Sequence, residues 1–245
     1  MKQEMKKPWV YRLTAGLRNF SNRRLFTSIK TYSKGKVLDI GGWDFFLTAR
    51  EPKQRFRFDT WTTLEPDPKK KLQVDDSRFA MVTGDGCDMD FTDASFDTCL
   101  NVCVLEHVYD PIAMVSETSR VLAKGGRAIF LIPQTTLPHM VPRHYYNFTR
   151  YWIEKVMPDS GLKILELQPV GGLWQDVIAH FFYFAMYTLR APDHDEPKST
   201  RNVFFWLLLP LMVLYALVSL PFVLLLSLGD LTEGARHYLV VVEKQ

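Results

Sequence analysis

Only three cysteines, Cys87, Cys99 and Cys103, stand among the 245 residues, and none lies in a paired metal-ligand spacing. The odd count, with two of them inside one apolar run, argues against a disulfide scaffold and for core packing in a reducing compartment. Charge of one sign is also scarce: a net +3 leaves no nucleic-acid footprint across the chain as a whole. No apolar segment follows the N-terminal lysines, so a secretory signal is not expected there. Internal repeats and low-complexity tracts are lacking, and the length suits one domain with a full core plus an extension.

What is present is unevenly distributed. Residues 1–36 hold ten Lys/Arg against the single acid Glu4, interleaved with Trp9, Tyr11, Phe20 and Phe26. Such an arm suits an anionic membrane face or RNA, or is simply a solvated helix ahead of the first strand. Near the other end, Val203–Leu228 runs 26 positions without a charge, enough to cross the apolar core of a bilayer.

Between these extremes the pattern alternates. Residues 36–40 (KVLDI), 61–64 (WTTL), 80–83 (AMVT) and 96–102 read as four short buried strands, each stopped by a turn or an acid. Asp110-Pro111 is a helix start, with Asp as cap and Pro at the first helical position. Ile112, Val115, Thr118, Val121 and Leu122 form its apolar stripe, and Gly125-Gly126 is expected to stop it. Residues 127–132 give a fifth strand, 162–168 a sixth and 238–243 the last, and Thr149 caps a short helix ending near Met157. Runs this short and apolar, alternating with helices, predict a parallel sheet covered on both faces. About 70 residues separate the sixth and last strands. They hold an aromatic-rich stretch, 173–189, and the uncharged run.

The richest part is Gly84–Pro133: an acidic turn, a buried strand, a proline-started helix, a Gly-Gly pair and a second buried strand. That order is how an open α/β sheet holds a small ligand at its C-terminal edge. Gly41-Gly42 after Asp39 offers a turn where backbone approaches a ligand closely. Glu65 is placed for ribose hydroxyls, Asp85 with the Gly86-Cys87 backbone for an adenine edge, and Asn101 with Val102 for a floor.

These residues resemble class I S-adenosylmethionine-dependent methyltransferases, specifically the "type 11" group with members in cell-envelope and glycan pathways. Val37–Gly42, Leu64–Pro66 and Gly84–Phe91 are similar to its first three motifs. Phe96–Pro111 (FD…VLEHV…DP) and Arg120–Pro133 (RVL…GG…P) are similar to its fourth- and fifth-strand signatures. The resemblance spans about residues 36–170. It implies a Rossmann-like seven-stranded sheet with helices on both faces, here with a hydrophobic helical insertion before the last strand. It divides the chain into a basic arm (1–35), a methyltransferase domain (36–172 and 235–245) and the insertion (173–234). It also implies that Asp39, Gly41, Gly42, Glu65, Asp85, Gly86, Cys87 and Asn101 bind S-adenosyl-L-methionine.

The first motif departs from the family pattern, because Trp43 and Phe45 stand where glycines are expected. Either the turn is re-routed with Trp43 swung out, or the cofactor sits differently, or the site is dead. Glu106-His107 matches part of a Glu-x-x-Glu-His metal motif of quinone-pathway methyltransferases. Cys103 replaces the first acid there, so the set is incomplete and no metal is expected. The segment from Pro138 to Thr149 looks like the His/Tyr loop of type 11 enzymes. Within it His139 is the first candidate for a base, with His107 the other candidate catalytic residue and His144, Tyr145 and Tyr146 contacting the acceptor.

The expected function is methyl transfer, most simply to an oxygen, on a lipid-linked glycan, a lipid or a quinone-like acceptor at the cytoplasmic face of a membrane. Two other readings stay open: a non-catalytic membrane partner with the methyltransferase fold, and an RNA methyltransferase using the basic arm. Because the last strand must rejoin its sheet, the two apolar segments either both cross the bilayer or dip in and out of it. Pro210 and Pro221 favour the shallower path.

Overall fold

The computed structural model describes residues 22–52, 54–189 and 201–245. One mixed sheet runs through it in the order β3-β2-β1-β4-β5-β7-β6. Its strands are β1 (Lys36–Ile40), β2 (Thr60–Glu65), β3 (Phe79–Thr83), β4 (Phe96–Val102), β5 (Leu122–Pro133), β6 (Leu162–Val170) and β7 (His237–Lys244). The first five pair in parallel, and β7 runs antiparallel between β5 and β6. The order reverses between β1 and β4, and at such a switch point strand ends leave a crevice for a ligand.

Both faces of the sheet are apolar, which is why the strands read as continuous hydrophobic runs. Phe130 and Ile132 of β5, with Val240 and Val242 of β7, pack on one face. Their neighbours Ile129, Leu131, Leu239 and Val241 pack on the other. The first face is covered by α3 (Pro111–Val121) and α4 (Arg150–Asp159) through Met114, Val115, Ile153 and Met157. The second is covered by α1 (Arg23–Tyr32) and the short α2 (Phe45–Ala49) through Leu25, Ile29 and Phe46. The basic arm lies mostly outside the described residues; its last part forms α1.

Local signals account for most boundaries. The Asp110 side chain accepts from the Ala113 amide at 3.0 Å, with Pro111 opening α3. Thr149 caps α4 through the Trp152 amide. One expectation fails: Gly125-Gly126 does not stop α3, which ends at Val121. Leu122 is fully buried and pairs with Phe96, so β5 begins before the glycines, and a bulge follows. The carbonyls at the helix end are met by the Lys244 ammonium, 3.1 Å from the Arg120 oxygen and 2.7 Å from that of Leu122. A cation from the last strand thus completes the helix where glycine was expected to.

Between β6 and β7 the chain forms α5 (Leu173–Leu189) and α6 (Val203–Leu226). Asp230, beyond α6, accepts from the Trp174 and Gln175 amides at 2.8 and 3.0 Å, and Leu231 accepts from the Leu173 amide. The start of α5 and the segment after α6 are thereby tied together, and the Phe181 and Tyr215 rings meet along the pair. The insertion is a hairpin that leaves and rejoins the domain at one place.

Candidate active site

The first strand end is built around a buried carboxyl. Asp39 is 1% exposed, and its Oδ2 has no hydrogen-bond partner among the described residues. Burial pushes its pKa up to about 7, the Trp61 indole offsetting part of the rise and Asp44 and Glu65 adding to it. Gly41 follows at φ 69°, and its amide donates to the Leu64 carbonyl at 2.8 Å. At Gly42 any Cβ would fall onto the Asp39 carboxylate, so the turn accepts glycine there for space.

Trp43 and Phe45, which break the glycine pattern, both leave this turn. Trp43 keeps φ at 38°, a left-handed path costing about 1–2 kcal/mol for a residue with a Cβ. Its ring lies 5.4 Å from the Lys70 ammonium. Phe45 opens α2 and packs among Phe26 and Trp61 on the second face. Trp43 therefore turns toward Lys70, and Phe45 joins the hydrophobic cluster of the second face.

The neighbouring strand ends carry the other polar groups. Glu65 closes β2 at 3% exposure, with Lys70 Nζ 3.2 Å from its Oε1. Lys70, inside a run of three lysines, carries no sequence signal; Trp43 and Glu65 single it out. After β3, the exposed Asp85 accepts from the Cys87 amide at 2.8 Å, and Gly86 is buried behind it. Burial pushes the Cys87 thiol up to about 11, so it is no nucleophile at neutral pH. Asn101, level with Ile40 in the sheet, donates to Met114 Sδ at 3.2 Å, and its Oδ1 has no partner among the described residues. Arg120 holds the acidic loop: it bonds the Met89 and Phe91 carbonyls and the Asp93 and Glu117 carboxylates at 2.7–2.8 Å.

Beyond β4 and β5 a second constellation forms. Glu106 and His107 lie on a 3₁₀ turn, and Tyr145 of the His/Tyr loop donates its amide to the Glu106 carbonyl at 2.8 Å. That contact brings together His107, His139 and His144, whose ring centroids are 4.7–5.6 Å apart. His107 Nδ1 meets the Arg143 carbonyl at 2.6 Å, and His139 Nδ1 meets that of Leu137 at 3.0 Å. Burial pulls His107 down to about 4 and lowers His144 as well, so both rings are neutral at pH 7. Glu106 is 1% exposed, its Oε2 has no partner, and burial raises its pKa to about 7. Tyr146 donates to the Tyr109 carbonyl at 3.0 Å, and Tyr145 packs edge-on to Tyr109. Cys103 packs with the hydrophobic cluster on the second face, burial raising its thiol pKa well above normal.

Residues 41–130 match the family model described as a methyltransferase domain. An uncharacterized methyltransferase of Mycobacterium sp. (strain KMS) is 33% identical over 95 residues, covering 38% of this chain and 36% of the relative. The chain therefore spans about a third of the length of the curated relatives it matches. Among solved structures, a methyltransferase complexed with the Haloferax volcanii Trm112 methyltransferase activator aligns with TM-score 0.59 at 16% identity. That alignment covers 96% of this chain and 93% of the other. Phosphoethanolamine N-methyltransferase 2 of Haemonchus contortus, solved with S-adenosyl-L-methionine, aligns with TM-score 0.56 at 17% identity, over 92% of this chain and 52% of that one. The fold is the Rossmann-like one these methyltransferase structures share, and the match to the domain model is confined to residues 41–130.

Proposed function

We propose that the protein is an S-adenosylmethionine-dependent methyltransferase that works at a membrane surface on an oxygen of a lipid or lipid-linked acceptor. The observation that carries the cofactor is the row of buried polar groups along the switch point. Asp39 Oδ2 and Asn101 Oδ1 have no partners among the described residues, and Glu65 is met by the partly exposed Lys70 and, at 3.5 Å, by the Asp67 amide. A protein rarely leaves buried polar atoms unpaired unless a ligand takes them up.

The residues divide the work. Glu65 accepts from the ribose hydroxyls once Lys70 is displaced, the turn at Asp85 faces the adenine edge, and Gly41-Gly42 let the amino-acid end approach the backbone. The cofactor when bound supplies an already activated methyl group. The protein then has to orient the acceptor and remove its proton, which is work for positioned imidazoles. His139 is the residue assigned to that proton, with Tyr145 and Tyr146 lining the approach. Calorimetric titration with S-adenosylhomocysteine, followed by labelled-methyl transfer into a membrane extract, tests the reading. Folded protein that binds no S-adenosylhomocysteine overturns it in favour of a non-catalytic role.

The membrane part is supported by the hairpin. Helix α6 is long and apolar enough to cross a bilayer, with a mean hydropathy of 2.5 and only 6% of its most apolar window buried. Phe204, Leu207, Leu211, Leu217, Val218 and Phe222 are all more than half exposed. Apolar surface on this scale calls for lipid or a partner. Both ends of the hairpin are tied at Asp230, so it enters the bilayer and returns to the side holding the sheet. The chain is expected to sediment with anionic vesicles and to stay bound after a high-salt wash, because apolar insertion is not screened. Release by salt would leave only electrostatic attachment through the basic arm. Recovery in the supernatant from the start would remove the membrane from the proposal.

A further inference from the structure

We propose that His107, His139 and His144 form a binding site for one divalent transition-metal ion, zinc in the first instance, with an open position that takes an oxygen of the acceptor. The second half of this proposal rests on the methyltransferase reading; the metal site itself does not. With the ion bound it is the ion, not His139, that readies the acceptor oxygen, because a coordinated imidazole has no lone pair left for a proton.

The geometry comes first. One nitrogen from each ring lies within 4.8 Å of the others. Zinc holds imidazole nitrogens at about 2.0–2.1 Å in a tetrahedron, which sets its ligands roughly 3.4 Å from one another, so small ring rotations close the site. Two of the rings are already oriented as ligands. His107 donates its Nδ1 hydrogen to the Arg143 carbonyl and His139 donates its own to that of Leu137. Each keeps the Nε2 lone pair free, and a backbone carbonyl on the far nitrogen is the usual anchor of a metal-binding histidine.

The unpaired atoms point the same way. His144 Nε2 is buried and has no partner among the described residues, and neither does Glu106 Oε2. The other Glu106 oxygen lies 3.8 Å from His107 Nε2, the nitrogen free to bind metal. A cation among the three rings gives the carboxylate an opposite charge. His144, whose Nδ1 takes the His139 amide at 3.3 Å and lies 3.1 Å from His139 Nδ1, joins the set by giving up those contacts or its ring proton. Without one, the buried Glu106 oxygen stays unsatisfied.

The chemistry of the donors narrows the ion. Three imidazoles suit zinc, iron, copper or nickel rather than magnesium or calcium. Three protein ligands with an open fourth position is also the arrangement of zinc sites that bind substrate or water. The ligands come from the turn after β4 and the loop after β5, which are pinned together where the Tyr145 amide meets the Glu106 carbonyl. The His/Tyr loop is further fixed by the Phe148 amide on the Pro133 carbonyl. An ion there would sit between the cofactor edge of β4 and the tyrosines that line the acceptor approach.

The test uses untagged full-length protein in detergent, stripped with a chelator and dialysed against zinc. One zinc per chain is expected, with His107→Ala and His144→Ala each weakening binding by at least about tenfold. Circular dichroism and the melting temperature check that each variant is folded. Cobalt added to the unaltered protein is expected to give the visible absorption of a tetrahedral site. No zinc retention, no tetrahedral cobalt spectrum, or undiminished binding by the triple alanine variant overturns the site. Zinc binding without S-adenosylhomocysteine binding would sink the methyltransferase reading and leave the metal site standing.

Discussion

Replacing Glu65 by alanine is expected to weaken S-adenosylhomocysteine binding about 10- to 150-fold while leaving the fold intact. The range follows from the roughly 1.5–3 kcal/mol that a hydrogen bond to a charged group contributes, since a carboxylate at a strand end can take both ribose hydroxyls. Little stability should be lost, because the one ion pair of Glu65 is with Lys70, which is 35% exposed. Lys70 is a competitor as well: its ammonium must leave Glu65 before a ribose can arrive. Lys70→Ala should therefore tighten binding where Glu65→Ala weakens it. Trp43, whose ring lies 5.4 Å from the same ammonium, helps to hold Lys70 on Glu65. Calorimetry on the two variants separates these roles. Unchanged affinity in Glu65→Ala would take β2 out of the cofactor site.

How far the sequence could be read depends on how local each cause is. Strands β1 and β4 begin and end where the apolar runs do, because both of their faces are buried and no alternation blurs them. Asp110-Pro111 is legible for the same reason, since a cap and its helix lie within four residues. The end of α3 was not, because what ends it is Leu122 pairing with Phe96 and Lys244 arriving from the last strand. The glycine-poor first motif hid a turn that holds Trp43 in a left-handed conformation, which propensity argues against. The three histidines are legible one at a time but not as a cluster, because contacts between distant segments, Tyr145 with Glu106 and His107 with Arg143, make neighbours of them. The hairpin is similar: its two helices are plain in composition, and its closure by Asp230 is not. Placing the candidate site on the sheet was a matter of motif order, and what fills it depends on contacts between segments far apart in the chain.

Asp39→Asn is expected to stabilise the protein at pH 8 and to have far less effect at pH 5. In the folded state burial holds this carboxyl near pH 7, against 3.8 for a free aspartate. Below about pH 4 both states are protonated and Asp39 costs nothing. As pH rises from there towards 7, the unfolded chain ionises while the folded one does not, so stability falls with rising pH. Above 7 the loss is complete, with an upper bound of about 4 kcal/mol at 1.36 kcal/mol per unit. Asparagine removes this pH-dependent loss but still leaves a polar atom unpaired beside Gly42, which returns about 1–3 kcal/mol of it. The melting temperature of Asp39→Asn should therefore rise relative to the unaltered protein between pH 5 and pH 8, by roughly 5–10 °C. Parallel curves across that interval would mean that Asp39 is ionised in the folded protein. A strand-end carboxyl kept against its own ionisation suits a site awaiting a cationic ligand, because the ammonium of the cofactor's amino-acid end would supply the charge that solvent cannot. Saturating S-adenosylhomocysteine, which carries that ammonium, should then flatten the slope of the unaltered protein and leave that of Asp39→Asn unchanged.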